Sequence, residues 1–408
     1  MLFLSIVCFV IWIGLIFFHG KFWSKGPILS ALLPEEQAEI TAWPPVYIVV
    51  PARDETGTVR EVIYSLLTQD YPGKFHVILV DDESQDGTGD LVRKMSQTLP
   101  DAINDRLTVI SSAPRPAGWS GKLWALSQGV AEAEKRKDLD DAFFFFTDAD
   151  IVHQPTHLTA LVHKACSDKL DQVSEMVELR CETLVERALI PAFVFFFAML
   201  YPFSKVNNRA SSVAAGAGGS VLIRRKALNK IGGIQVLRSA LIDDVTLATH
   251  VKRSGGAIYL GHSQLACSLR PYPLLKDVWD MITRTAYVQL HYSLILLGVT
   301  ILSMILIWMA PLYLMLTTRG VIKVIAIVTY CMSIVSFLPT LSRFRISSLW
   351  ALALPFIVLF YLAATIGSAI NFYCGAGVTW KGRAYTEVEE SSVTNKQVAS
   401  EDAKQGIY

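Results

Sequence analysis

Apolar positions fall into three patterns along the chain. Residues 2–18, LFLSIVCFVIWIGLIFF, are apolar almost throughout and are followed by His19, Lys21 and Lys25. A cleaved leader carries its charge before the apolar core and a small-residue cleavage site after it; here the order is reversed, so residues 1–20 read as a retained transmembrane anchor. The lysines that follow favour a cytoplasmic location for the next domain. From 45 to about 285 the pattern changes to short runs. VYIVVP (46–51), HVILVDD (76–82), LTVISS (107–112) and AFFFFTD (142–148) read as strands, with helical periodicity in VREVIYSLLTQ (59–69) and KLWALSQGVAEAEKR (122–136) between them. This βαβα order predicts an α/β domain with a Rossmann-like half. Three long apolar runs at 291–316, 321–341 and 347–372 are each able to span a bilayer, and a polar tail over 386–408 reads as disordered.

One stretch fits none of these patterns. ALIPAFVFFFAMLYPF (188–203) contains Pro191 and Pro202 and is marginal for a span. It reads as a core helix or, with apolar segments on both flanks of the domain, as a helix lying at a membrane interface.

Composition agrees with a membrane protein: 52% of the 408 residues are hydrophobic, 18% are charged, and mean hydropathy is +0.39. A formal net charge of +1 provides no global field for nucleic acid. The six cysteines form no CxxC pair and indicate neither a disulfide framework nor a zinc site. No GxGxxG follows the first strand, which removes a dinucleotide oxidoreductase.

Carboxylates gather where the strands end. PARDE (51–55), VDDESQDGT (80–88) and TDAD (147–150) each close an apolar run. In an open α/β sheet that edge binds ligands. Carboxylates crowded there need a cation, and hard oxygen donors suit Mg²⁺ or Mn²⁺ bridging substrate phosphates. On an extended chain Asp148 and Asp150 would face the same side and a single metal. Asp86, in SQDGT, reads as a turn and capping residue. Lys122, behind Gly118 and Gly121 in GWSGKLWAL, stands at a helix start where it can reach a phosphate. The small residues of GAGGSVLIRRKAL (216–228) allow close backbone approach. In SALIDDVTLATHVKRSGG (239–256), Asp243 and Asp244 open a helix as capping or catalytic residues.

The series PxRDE, VDDxSxDGT, GxxGKxxAL and TDAD resembles the family 2 glycosyltransferases over about residues 45–285. In detail it is most similar to the hopene-associated glycosyltransferases and more distantly to ceramide glucosyltransferase. The resemblance implies a GT-A (nucleotide-diphospho-sugar transferase) domain followed by three transmembrane helices, in the cell inner membrane with the domain cytoplasmic. It implies that Glu55, Asp81, Asp82, Lys122 and Arg284 bind a nucleotide-sugar donor, UDP-linked, and that Asp148 and Asp150 hold a divalent metal. Asp244 would be the general base, with Gly218, Gly219 and Asp243 on the acceptor side. The family's Glu-Asp pair is Asp243-Asp244 here. Of a Q/R-x-x-R-W motif, WDMITRTAY (279–287) keeps only Arg284, which argues against a processive polysaccharide synthase. The acceptor expected is a lipid; a non-catalytic scaffold is the remaining alternative.

Overall fold

The structure, a computed structural model, describes residues 1–37, 40, 42–374, 379–380 and 383–384; the tail at 386–408 lies outside the described residues. The chain forms two compact units. One comprises Gly26–Arg180 and Lys205–Pro271; the other comprises Met1–Lys25, Cys181–Ser204 and the chain from Tyr272 on.

The first unit is built on a nine-stranded sheet. Its strands are β1 (Ile28–Leu29), β2 (Val46–Ala52), β3 (Phe75–Asp81), β4 (Leu107–Ser111), β5 (Phe143–Thr147), β6 (Ile151–His153), β7 (Gln172–Glu178), β8 (Ser220–Arg224) and β9 (Ile258–Ser268). The spatial order is β1-β9-β7-β8-β5-β2-β3-β4, with β6 paired to β9. β5, β2, β3 and β4 are all parallel, as the βαβα pattern predicts. Every residue of β2 and β5 is buried, because helices cover both faces of a parallel sheet. That requirement accounts for the four consecutive phenylalanines.

The other half of the sheet is mixed. β8 runs antiparallel to both β5 and β7, while β7 and β9 are parallel. Antiparallel pairing of Thr147 with Ser220 brings the start of β8 to the rim where β5 ends. β6 is likewise antiparallel to β9, pairing Ile151 with Ser268, which returns the chain after β9 to the turn before β6.

The second unit is mainly helical. Among the described residues, four segments are long and apolar enough to cross a membrane: Leu184–Val206, Leu294–Thr317, Gly320–Arg343 and Ser348–Tyr373. The last three correspond to the three runs read from the sequence. The first contains the stretch expected to be a core or interfacial helix. It is helical over Leu184–Leu200 despite Pro191, and its 23 residues extend beyond the 188–203 window. Helix Leu2–Phe18 has 17 residues, giving ~25 Å at ~1.5 Å per residue against a hydrocarbon core of ~30 Å. Its Trp12 is fully buried and donates from Nε1 to the Ile307 carbonyl at 2.8 Å, within a π turn over Ile305–Met309. Outward positions such as Ile295, Leu316 and Val321 are 69–79% exposed, which suits a lipid solvent.

The unit boundary differs from the domain end expected at 285. Helix Leu275–Thr283 belongs to the helical unit, where Trp279 packs edge-on against Phe360 at 5.8 Å.

Candidate functional site

The parallel strands deliver the first two motifs to one rim. After β2, Arg53 is 5% exposed and donates from Nη1 to the carbonyls of Asp82 (2.5 Å) and Glu83 (3.1 Å). The two motif loops are stitched together by further bonds: Asp54 N to Ser84 Oγ at 3.1 Å, Gln85 N to Asp54 Oδ1 at 2.8 Å, and Glu55 N to Thr88 Oγ1 at 2.8 Å. Asp54 and Glu83 both have left-handed backbones, at φ 52° and 53°, which bulkier residues than glycine rarely adopt. Asp81 closes β3 and accepts from Ser84 N at 3.2 Å; Asp82, beside it, is 1% exposed.

Asp86 has the turn role expected of it. Its carboxylate accepts from Thr88 N and Oγ1 and from Thr56 N and Oγ1, at 2.6–3.0 Å. Against a desolvation cost, these bonds from Thr88 and Thr56 hold its pKa at about 2. Asp86→Ala should therefore lower the domain's stability by ~1 kcal/mol. The wild-type advantage should be present above the ordinary carboxylate range and vanish as pH falls towards 2. Thermal melting of both proteins across acid pH checks this, and equal melting temperatures at neutral pH would refute it.

Asp148 and Asp150 differ from their expected geometry. β5 ends at Thr147, so both lie in a turn rather than on an extended strand. They face different cations. Asp148 Oδ1 pairs with Lys122 Nζ at 2.8 Å, and Asp150 Oδ2 pairs with Arg270 Nε at 2.6 Å. Arg270 Nη2 also binds Glu55 Oε1 at 2.8 Å, so one guanidinium ties the first motif to the third. Sequence reasoning missed Arg270: it follows β9 in no recognisable motif, and only the antiparallel β6–β9 pairing brings it to Asp150.

Lys122 is the second residue of helix Gly121–Ala133, whose cap is Ser120, accepting from Leu123 N at 3.3 Å. Its Nζ also lies 3.5 Å from Asp243 Oδ2. Burial alone would lower its pKa, but Asp148, Asp243 and Asp244 outweigh burial and raise it.

Asp243 and Asp244 are the first two residues of helix Asp243–Arg253, and Ile242 occupies the cap. Neither aspartate is thus the N-cap that sequence reading allowed. Asp244 instead accepts from Gly218 N with Oδ2 and from Val245 N with Oδ1, both at 2.8 Å. A Cβ at Gly216 would sit 2.9 Å from the Asp244 carbonyl, so the loop of small residues makes room for Asp244 itself. Burial, and then the negative charge of Asp243, push the Asp244 carboxyl up to about 7. Lys122, Asp148, Gly218, Asp243 and Asp244 line one narrow cavity of about 20 Å³, with Ile234 and Leu237 closing its side. That is room for about one water.

Behind this rim lies a buried polar chain with no motif to announce it. Thr147 Oγ1 donates to the Gly219 carbonyl at 2.9 Å and contacts His153 Nε2 at 3.0 Å. His153 Nδ1 meets His157 Nδ1 at 2.8 Å, and His157 Nε2 meets Glu175 Oε2 at 2.6 Å. Since Thr147 spends its proton on Gly219, His153 donates from Nε2 and accepts at Nδ1. His157 must then donate from Nδ1, and a further proton is shared between His157 Nε2 and Glu175. The chain holds the end of β5 against the start of β8, and with it Asp148 beside Gly218 and Gly219.

Arg284 belongs to the other unit. It follows helix Leu275–Thr283 in the helical unit.

Residues 47–232 match Glycosyl transferase family 2. That stretch is similar to the family 2 glycosyltransferase domains. The match covers a little under half of the chain and takes in both motif loops, Lys122, the TDAD turn and Gly218–Gly219, while Asp243, Asp244 and Arg270 lie beyond it. The probable glycosyltransferase YdaM of Bacillus subtilis (strain 168) is 24% identical over 226 residues, 55% of this chain. The chain spans about half the length of that curated relative, 50%. Among solved structures, the mannosyltransferase PcManGT from Pyrobaculum calidifontis, in complex with GDP-Man and Mn²⁺, aligns at TM-score 0.54 and 17% identity. The alignment covers 90% of this chain and 99% of that one, and it assigns the transferase domain a GT-A-like fold.

Proposed function

We propose that this chain is an inverting glycosyltransferase, bound to the cell membrane with its transferase domain cytoplasmic. It moves a sugar from a nucleotide-diphosphate donor, UDP-linked, to a hydroxyl of a lipid. The observation that carries the reading is Asp244: a half-buried carboxylate, oriented by two backbone N–H groups, with its pKa raised to about 7 in the same cavity as Lys122 and Asp148. A base poised near neutrality is matched to removing a hydroxyl proton.

In the proposed reaction the acceptor oxygen attacks the anomeric carbon from the face opposite the diphosphate. The bond from that carbon to the diphosphate oxygen breaks, the hydroxyl proton passes to an Asp244 oxygen, and nucleoside diphosphate leaves. Gly218 N–H and Val245 N–H fix the base so that its remaining lone pairs face the hydroxyl. Lys122 is the cation nearest the departing charge; Glu55 and Asp81 would accept hydrogen bonds from the nucleotide, while Asp82, 1% exposed, would act through the loop it anchors.

The donor set also fits a divalent ion, within limits. No group of three or more His, Cys, Asp or Glu among the described residues could hold a metal alone. Asp148 and Asp150 offer two carboxylates, which suits Mg²⁺ or Mn²⁺ only when diphosphate oxygens complete the shell. Each carboxylate is otherwise neutralised by Lys122 or Arg270. A bound ion would supply charge neutralisation of the leaving group. Metal affinity should consequently depend on nucleotide: calorimetry should register Mn²⁺ binding with nucleoside diphosphate present and little without it.

The four apolar segments long enough to span a membrane favour a lipid acceptor, and the resemblance implies a polycyclic, hopanoid-type lipid. The deciding experiment follows nucleotide release by the detergent-purified protein. Donors are UDP-glucose, UDP-N-acetylglucosamine and GDP-mannose, with Mn²⁺ or chelator, and with or without extracted membrane lipid. Release requiring both metal and lipid is expected. Release of long polymeric product would instead favour a processive synthase, and no release from any donor would overturn the reading.

A further inference from the structure

The transferase domain has a second cavity, larger than the one around Asp244 and separated from it by a single turn of chain. It is an open surface cleft of about 450 Å³, lined by Trp119, Trp124, Gly232, Gln235, Val236 and Arg238, the last four of them exposed. Ligand sites of small molecules commonly occupy ~300–1,000 Å³. The dividing wall is the 3₁₀ turn Ile234–Leu237. Ile234 and Leu237, three apart and so on one face of such a turn, line the Asp244 cavity, while Gln235 and Val236 line the other. The opposite side is shared in the same way: Trp119 and Trp124 flank Lys122, which points into the Asp244 cavity.

We propose that this second cavity binds a sugar ring, the polyhydroxylated headgroup of the acceptor. The two indoles meet at a corner, with ring centroids 5.3 Å apart and planes at 63°. Trp124 has committed its Nε1–H to the Ala113 carbonyl at 2.8 Å and offers only a ring face. The Trp119 N–H, the Gln235 amide and the Arg238 guanidinium have no side-chain partner among the described residues. A pyranose has one face of C–H groups, which packs on an indole, and a rim of hydroxyls that both donate and accept. The cavity matches both parts: an aromatic corner, several donors, and an amide that does both. A nucleobase would need a parallel slot, which rings at 63° do not form. A lipid chain would leave Gln235 and Arg238 unpaired, and a bare anion would leave the indoles unused.

That the ring belongs to the acceptor rests on the proposed transfer function; that the cavity binds a sugar does not. The donor's sugar is the other source of the same chemistry. The test is saturation-transfer NMR on the detergent-purified full chain with methyl glucoside, mannoside and galactoside, each as both anomers, and in separate samples with UDP-glucose and GDP-mannose. At least one methyl glycoside should receive saturation on its ring protons. The signal should fall ~10-fold or more in Val236→Trp, which fills the cavity, and clearly in Gln235→Ala, an exposed position whose truncation spares the fold. Binding of the donor nucleotide with Mn²⁺, measured by calorimetry, should persist in both variants, so loss of the transfer reading and loss of this site are read separately. An undiminished signal in Val236→Trp, or none from any glycoside, overturns the proposal. Saturation confined to the sugar of UDP-glucose or GDP-mannose, and lost in Val236→Trp, overturns the assignment to the acceptor.

Discussion

Asp244→Asn should lower kcat by roughly 10³ while leaving donor affinity within about twofold, since a positioned base contributes ~10²–10⁴. The substitution preserves volume but removes the charge and the ability to take a proton. The amide can still accept from Gly218 N–H or Val245 N–H, so the helix start should hold. Wild-type kcat/KM should rise with pH through about 7, where Asp244 becomes ionised. Burial is the main cause of that raised value, and the charge of Asp243 is next. Asp243→Asn removes the second cause, so its rise should come at lower pH. Steady-state kinetics from pH 5 to 9, with donor binding measured by calorimetry, cover both variants. Near-wild-type turnover in Asp244→Asn would sink the base assignment.

Lys122→Met should be nearly as damaging, for a different reason. Lys122 lies within 3.5 Å of both Asp148 and Asp243, and its charge lowers the pKa of Asp244. Without it, three carboxylates line one narrow cavity uncompensated. Donor affinity should fall because the diphosphate then meets only negative charge, and kcat/KM should drop by ~10²–10³. The rise in activity should move to higher pH, opposite in sign to the Asp243→Asn shift. Lys122→Arg, which keeps the charge, should recover part of the loss. A Lys122→Met enzyme with wild-type donor affinity and an unmoved pH profile would show that Lys122 only fills space.

Much of this site could be read without coordinates because it is local. Glu55, Asp81, Asp82, Lys122 and Asp148 each sit at the end of an apolar run or the start of a helix, and periodicity alone places such junctions on the ligand-binding edge of a parallel sheet. The geometry at the junctions was less legible. Asp148 and Asp150 were expected to face one side of an extended chain, yet the strand stops one residue earlier, and the turn sends them to Lys122 and Arg270. The Asp243–Asp244 pair was read as capping a helix or as catalytic; Ile242 takes the cap, and Asp244 binds a glycine N–H that is 26 residues away in sequence. The indoles of Trp119 and Trp124 were visible beside Lys122, but nothing in the order of residues placed Gln235 and Arg238 opposite them.

By itself the sequence determined the alternating α/β domain, the apolar segments and the set of carboxylates at the strand ends, because each follows from the period and composition of a short stretch. Only the tertiary structure decided which of these groups meet. The antiparallel insertion of β8 beside β5 puts Gly218 next to Asp148, and the β6–β9 pairing puts Arg270 between Glu55 and Asp150. A buried relay through His153, His157 and Glu175 then secures the junction. Residues so far apart in the chain leave no periodic signal of their contact; the direction and register of non-neighbouring strands determine it.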